Sequence, residues 1–176
     1  MRYAIVYLIK GKAGKYNQRL IRGFGIKFKE YHIINSKIPP HITLKSPFKT
    51  KRIRNLESLI KEISRNHKKG KVEIKGFGDF HKHVAFLKTK ISKEGRKIQK
   101  NLIKELEKEI KIKPHEFDIK WKPHATIVYA NKDNFALIWN KLEKFRKPKF
   151  DLKLDNITIL KKSGRYWKVY KEFKIK

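Results

Sequence analysis

Two short segments of this chain share one plan: Pro40-His41-Ile42-Thr43-Leu44 and Pro123-His124-Ala125-Thr126-Ile127. Seven histidines and five threonines in 176 residues give on the order of 0.2 His-x-Thr triplets by chance, so a matched pair, each behind a proline, is a strong signal. In a β-strand, side chains two apart share a face, so each segment sets an imidazole beside a hydroxyl. The aliphatic residues at 42, 44, 125 and 127 then point the other way, into the core. Two such strands brought face to face converge two imidazoles and two hydroxyls on one small anion. That set suits cleavage of a phosphodiester without a metal. One neutral histidine takes a proton from water, a protonated one gives a proton to the leaving oxygen, and the hydroxyls bond the non-bridging oxygens. Histidine fits both roles because its pKa lies near neutrality.

Other chemistries fit less well. The chain has no cysteine, which removes disulfides, thiolate zinc sites and a cysteine nucleophile. Neither triplet has a second ligand at metal spacing, and threonine is a poor zinc ligand, so no metal and no cofactor are expected. His81 and His83 are spaced to share a strand face but lack a third ligand. His32, His67 and His115 sit beside Lys or Glu in expected loops or helix ends and receive no role. Trp121, Trp139 and Trp167 read as packing residues.

The elements that must position the triplets follow from apolar spacing. Strands are expected at 3–9, 41–45, 71–77, 83–89, 124–129, 150–154, 156–160 and 166–173. Helices are expected at 17–30, 53–66, 93–110 and 133–145, with Gly23 and Gly25 weakening the first. The order strand, helix, strand, helix, strand occurs twice, and the two His-x-Thr strands stand 83 residues apart, close to half the chain. The expected fold is α+β: one bilobal domain over 1–176, in two pseudo-symmetric lobes. Each lobe is a mainly antiparallel sheet with helices outside, and the active-site cleft lies between them.

Composition limits the partners. Hydrophobic residues make up 39% of the chain and aromatics 12%, enough for a core, so wholesale disorder is excluded. No apolar stretch is long enough to span a membrane, and the opening nine residues are too short for a secretory signal. A cytoplasmic monomer is expected. There are 47 Lys+Arg against 16 Asp+Glu, a net charge of +31. The excess is spread over both halves, with 22 of the basic residues in 1–88, so no detachable tail carries it. A fold this positive attracts polyanions, nucleic acid above all, although Lys-rich composition also marks AT-rich genomes and thermophiles.

With both triplets in hand, the sequence resembles the 2H phosphoesterases, whose members include RNA 2′,3′-cyclic phosphodiesterases, also called 2′-5′ RNA ligase-like proteins. The resemblance covers nearly the whole chain, including the closing segment from Ile157 to Phe173 with its Ser163-Gly164 turn. It implies metal-independent hydrolysis of a 2′,3′-cyclic phosphate, on an RNA end or a nucleotide, to a 2′-phosphomonoester. The reverse 2′-5′ ligation is a further implied activity. By motif position His41 would be the general acid, His124 the general base, and Thr43 and Thr126 the phosphate holders; spacing alone does not say which histidine is which. Two departures stand out. Lys45-Ser46-Pro47-Phe48 replaces the Phe-Leu-Gly run that follows the first motif in the best-known RNA branch, and Val128-Tyr129 stands where that branch often has an arginine. Lys45, two beyond Thr43, is expected on the same face, either as the missing phosphate contact or as one more solvated lysine. Phe48, Tyr129 and Tyr166 either stack on a base or pack in the core or rim. Two other readings stay open: a non-catalytic RNA-binding module on the same fold, and a 2H enzyme for another phosphoester, such as a cyclic ADP-ribose derivative or the 3′ end of an oligouridylate.

Overall fold

Helices form largely where the apolar spacing puts them in the computed structural model, which describes residues 1–176. α3 (Ile53–Asn66) and α4 (Lys93–Ile110) have the expected bounds. α4 buries Ile98, Leu102, Leu106 and Ile110. Ser92 caps it by accepting from the Gly95 backbone N–H, and Glu94 places negative charge at the positive end of the helix dipole. α6 (Lys132–Glu143) is capped by Asn131 and buries Phe135, Ile138 and Leu142, while Phe145 falls beyond its end. α1 (Gly11–Lys27) starts at 11 rather than 17 because its first buried positions are Ala13, Gly14 and Asn17, which make no apolar stripe. A Cβ on Gly25 would sit 2.6 Å from Ile34 Cδ1. Glycine there lets α1 meet α2 (His32–Ser36) at contact distance. α2 and α5 (Glu116–Ile119) are single turns, too short to show a period.

Eight strands make two four-stranded sheets, and every pairing is antiparallel. β1 (Arg2–Leu8), β2 (His41–Lys49), β7 (Asn156–Ser163) and β8 (Tyr166–Lys174) form the first, in the order β2-β1-β7-β8. β3 (Gly70–Phe80), β4 (Val84–Ile91), β5 (His124–Tyr129) and β6 (Lys149–Leu154) form the second, ordered β5-β4-β3-β6. This is the expected two-lobed α+β fold, but the lobes are not the two halves of the chain. β3 crosses to pair with β4, and β7 returns to pair with β1. Each half lends its later strands to the other lobe, and one apolar cluster of 36 residues draws on both sheets.

The repeat reaches down to register. In the first sheet Val6 lies opposite Thr43 and Ile5 opposite Lys45, so Leu44 is an extra residue. In the second, Phe86 lies opposite Thr126 and Ala85 opposite Val128, so Ile127 is extra. Both bulges fall on the edge strand that carries the triplet. A bulge resets the alternation, so the residue after it changes face. No helix is long and apolar enough to cross a membrane.

Candidate active site

The first residue of β2 is His41 and the first of β5 is His124. His41 Nδ1 lies 2.8 Å from the Pro39 carbonyl oxygen, and His124 Nδ1 lies 2.8 Å from that of Lys122. A carbonyl only accepts, so in each ring Nδ1 carries the proton and Nε2 is left as the basic atom. The prolines have a local reason here. Pro39 and Lys122 each precede a proline, which holds them extended, and their carbonyls reach the imidazole two residues on. Sequence, backbone conformation and tautomer are thus linked in the same way twice.

Burial pushes both imidazoles down from the usual histidine value of 6.5. His41 falls furthest, to about 4; its hydrogen bond to Pro39 opposes the fall and positive charge on His124 adds to it. A charge on one ring is thus felt at the other. At neutral pH both are uncharged. Their surroundings differ. Leu8 stands directly opposite His41, and Lys88 opposite His124. The cleft side of the first sheet carries Val6, Leu8 and Leu160, with Ile38 and Trp167 against them. On the second sheet, the Phe80 and Phe86 rings lie 4.8 and 5.1 Å from the His124 ring. A Cβ on Gly78 would meet the Phe86 ring at 2.7 Å, so glycine makes room for that cluster.

Thr43 and Thr126 are half-buried on the same faces as their histidines. Their backbone carbonyls, on the free edges of the sheets, are held from the opposite half of the chain. Trp121 Nε1 donates to Thr43 O at 2.7 Å, and the buried Asn17 donates to Thr126 O at 3.2 Å. Gln99 on α4 likewise donates to Leu44 O and Asp118 O. Trp121 therefore does more than pack: it ties the second lobe to the first motif.

Two expected substrate contacts lie elsewhere. The bulge at Leu44 turns Lys45 away from the face of Thr43 and onto the helix side. Lys45 and Asp118 side chains are each 2% exposed, and Lys45 Nζ lies 2.7 Å from Asp118 Oδ2. The carboxylate also accepts from the backbone N–H groups of Ser46 and His115, both at 2.7 Å. Burial pushes the Asp118 pKa up, but the bonds from Lys45, Ser46 and His115 outweigh it and hold the carboxyl below its ordinary value. Lys45 is a buried structural cation, not a phosphate contact. Phe48 is 9% exposed and belongs to the core beside Tyr3, so it offers no stacking face. Tyr129 is 47% exposed, with His32 edge-on at 5.3 Å. Tyr166 is half-buried at the start of β8; Lys37 lies 4.5 Å over its ring and Arg165 Nε donates to its hydroxyl. Three other histidines have local hydrogen bonds: His67 with Ile63 O, His83 with Ala130 O, and His115 as the cap of α5. No three His, Cys, Asp or Glu side chains converge as a metal cluster.

Each of the two antiparallel sheets thus carries a His-x-Thr at the head of an edge strand. The chain belongs to the 2′-5′ RNA ligase superfamily, which matches it over residues 27–165. Among solved structures it is similar to TT0787 of Thermus thermophilus, at 14% identity and a TM-score of 0.64 over 99% of this chain and 98% of that one. E. coli LigT in apo form is 13% identical with a TM-score of 0.59, over 99% and 96% of the two chains. E. coli LigT complexed with 3′-AMP is 12% identical with the same TM-score and coverage. At these identities the likeness is one of fold. No curated protein sequence gives a significant match.

Proposed function

We propose that this protein is a metal-independent phosphodiesterase that opens a 2′,3′-cyclic phosphate, on an RNA end or a nucleotide, to a 2′-phosphomonoester. The observation that carries the reading is the matched pair of imidazoles, each with Nδ1 fixed on a backbone carbonyl and Nε2 free. A water oxygen attacks phosphorus as the bond from phosphorus to the 3′ oxygen breaks. One imidazole takes the water proton, and the other, as imidazolium, protonates the leaving 3′ oxygen. Thr43 and Thr126 donate to the non-bridging oxygens. Motif position gives His41 the acid role and His124 the base role. Burial opposes that assignment, because His41 stays neutral down to about pH 4. A phosphate monoanion within reach of both Nε2 atoms stabilises an imidazolium on either ring and so offsets the burial penalty. With a 5′ hydroxyl in place of water, the same proton transfers open the cyclic phosphate, break the bond from phosphorus to the 3′ oxygen and leave a 2′-5′ phosphodiester.

This predicts two different pH profiles. In the free enzyme both pKa values lie below 6.5, so the singly protonated pair is most populated on the acid side of that value, and kcat/KM should peak there. In the complex the bound anion raises both, so kcat should peak at higher pH. Rate measurements across pH 4–9 test it. A kcat/KM maximum above neutrality, or coincident profiles, would contradict the burial argument. The rate should survive EDTA. Thr43→Ala and Thr126→Ala should each lower kcat by roughly 10–100-fold, the worth of one hydrogen bond to a charged group; kcat values equal to wild type would remove the hydroxyls from the phosphate site.

A further inference from the structure

The two His-x-Thr strands are alike, but the strands beside them are not. Residues directly opposite each other in an antiparallel pair share a face, with Cβ atoms about 4.5–5.5 Å apart. Opposite His41 and Thr43 stand Leu8 and Val6; opposite His124 and Thr126 stand Lys88 and Phe86. Of the four side chains that register sets beside the motifs, one is therefore a cation. Lys88 is exposed and takes part in none of the four ion pairs of the chain. Its stem has a defined seat. A Cβ on Gly78 would lie 3.0 Å from Lys88 Cγ and 2.7 Å from the Phe86 ring. The glycine leaves room for both, and the Phe86 ring in turn lies against the His124 ring. Lys88 and Phe86 also line an open hollow of about 450 Å³ that Pro123 borders.

The reaction calls for positive charge at that place. A cyclic phosphodiester is an anion, and attack by water builds further charge on its non-bridging oxygens. Thr43 and Thr126 offer neutral hydroxyls, and both imidazoles are uncharged at neutral pH before a phosphate arrives. Other cations near the motifs are engaged or less firmly placed. Lys45 is locked to Asp118. Lys37 and Arg165 lie over the Tyr166 ring, and Lys162 lies over Trp167. Lys90 stands opposite Glu73, and Lys122 precedes β5, where no neighbouring strand fixes its side chain. We infer that Lys88 is a further catalytic residue, whose ammonium bonds a non-bridging oxygen of the phosphate and stabilises the charge that grows there. This role rests on the proposed function for the identity of the reaction. A flexible four-carbon stem gives the point charge its reach, and Lys88 exchanges no proton in the step. Leu8 gives the first lobe no counterpart, so the cation belongs to the His124 end alone.

Lys88→Met keeps the stem and removes the charge. On a 2′,3′-cyclic mononucleotide its kcat should fall roughly 10–100-fold, the worth of a hydrogen bond to a charged group. KM should rise less, because the charge on the phosphoryl oxygens is greatest in the transition state. Lys88→Arg should keep most of the native turnover. Lys90→Met, on the same face but opposite Glu73, is the control and should turn over near the native rate. Both lysines are exposed, so the variants should fold, which a thermal melt checks. Native kcat in Lys88→Met overturns the inference, as does an equal loss in Lys90→Met, and the proposed reaction survives either result. Absence of turnover by the native protein refutes the reaction instead. Titration with inorganic phosphate, followed through the NMR signals of the histidine rings, then still decides Lys88. Lys88→Met should bind phosphate about tenfold more weakly than the native protein, and unchanged affinity overturns the role.

Discussion

Replacing either His41 or His124 with alanine should lower the turnover of a 2′,3′-cyclic phosphate by about 10²–10⁴-fold, the usual contribution of a positioned proton donor or acceptor. Each imidazole serves one end of the reaction, so each loss is felt alone. The double variant should be little worse than the more damaged single, because either missing transfer already stalls the concerted step. Folding should change little. Both rings are half-buried and uncharged at neutral pH, and each makes one backbone hydrogen bond, worth about 1 kcal/mol. A thermal melt beside the kinetics separates lost chemistry from lost structure. Wild-type turnover in both variants would leave the fold without its proposed site.

The largest effect on stability should come from Lys45. The Lys45–Asp118 pair is closed to solvent, and Lys45→Met leaves the Asp118 carboxylate buried among backbone donors without its counter-charge. Breaking one side of a buried pair costs about 3–5 kcal/mol, a large share of the ~5–15 kcal/mol that holds a domain together. The urea midpoint should fall accordingly. The pH dependence adds a sign. In the native protein the Asp118 pKa is below its ordinary 3.8, so its contribution is complete above that value and is lost as pH falls through the folded-state value. In Lys45→Met burial dominates and the carboxyl shifts upward, so the variant should gain stability relative to neutral pH as the medium is acidified through the raised value. A variant with the native urea midpoint would mean that the ammonium contributes nothing to the fold.

Lys45 also shows where the sequence stops being readable. Strict alternation places it beside Thr43, and the bulge at Leu44 moves it to the opposite face. Nothing in the residues at 43–46 announces that bulge, because it arises from how β2 pairs with β1. The identical bulge at Ile127 was hidden in the same way, although the spacing of 83 residues links the two. What could be read were features set by local chemistry: the bounds of α3 and α4, the strand at 124–129, the paired triplets and the antiparallel two-lobed plan. Features set by long-range pairing could not be read. These include the exchange of β3 and β7 between lobes, the donation from Trp121 to Thr43, the seat of Phe48 in the core and the place of Lys88 opposite His124. Asn17 left a faint trace as a polar residue on the inner face of a helix, the kind that is buried only with a partner to bond.

The most direct measurement is the product of the native protein acting on a 2′,3′-cyclic mononucleotide in EDTA, resolved into 2′- and 3′-phosphomonoesters. Two imidazoles with fixed, opposed roles protonate one leaving oxygen, so the 2′-phosphomonoester should accumulate alone and at an undiminished rate. A mixture of isomers, a rate abolished by the chelator, or no turnover of any cyclic phosphate would contradict the account.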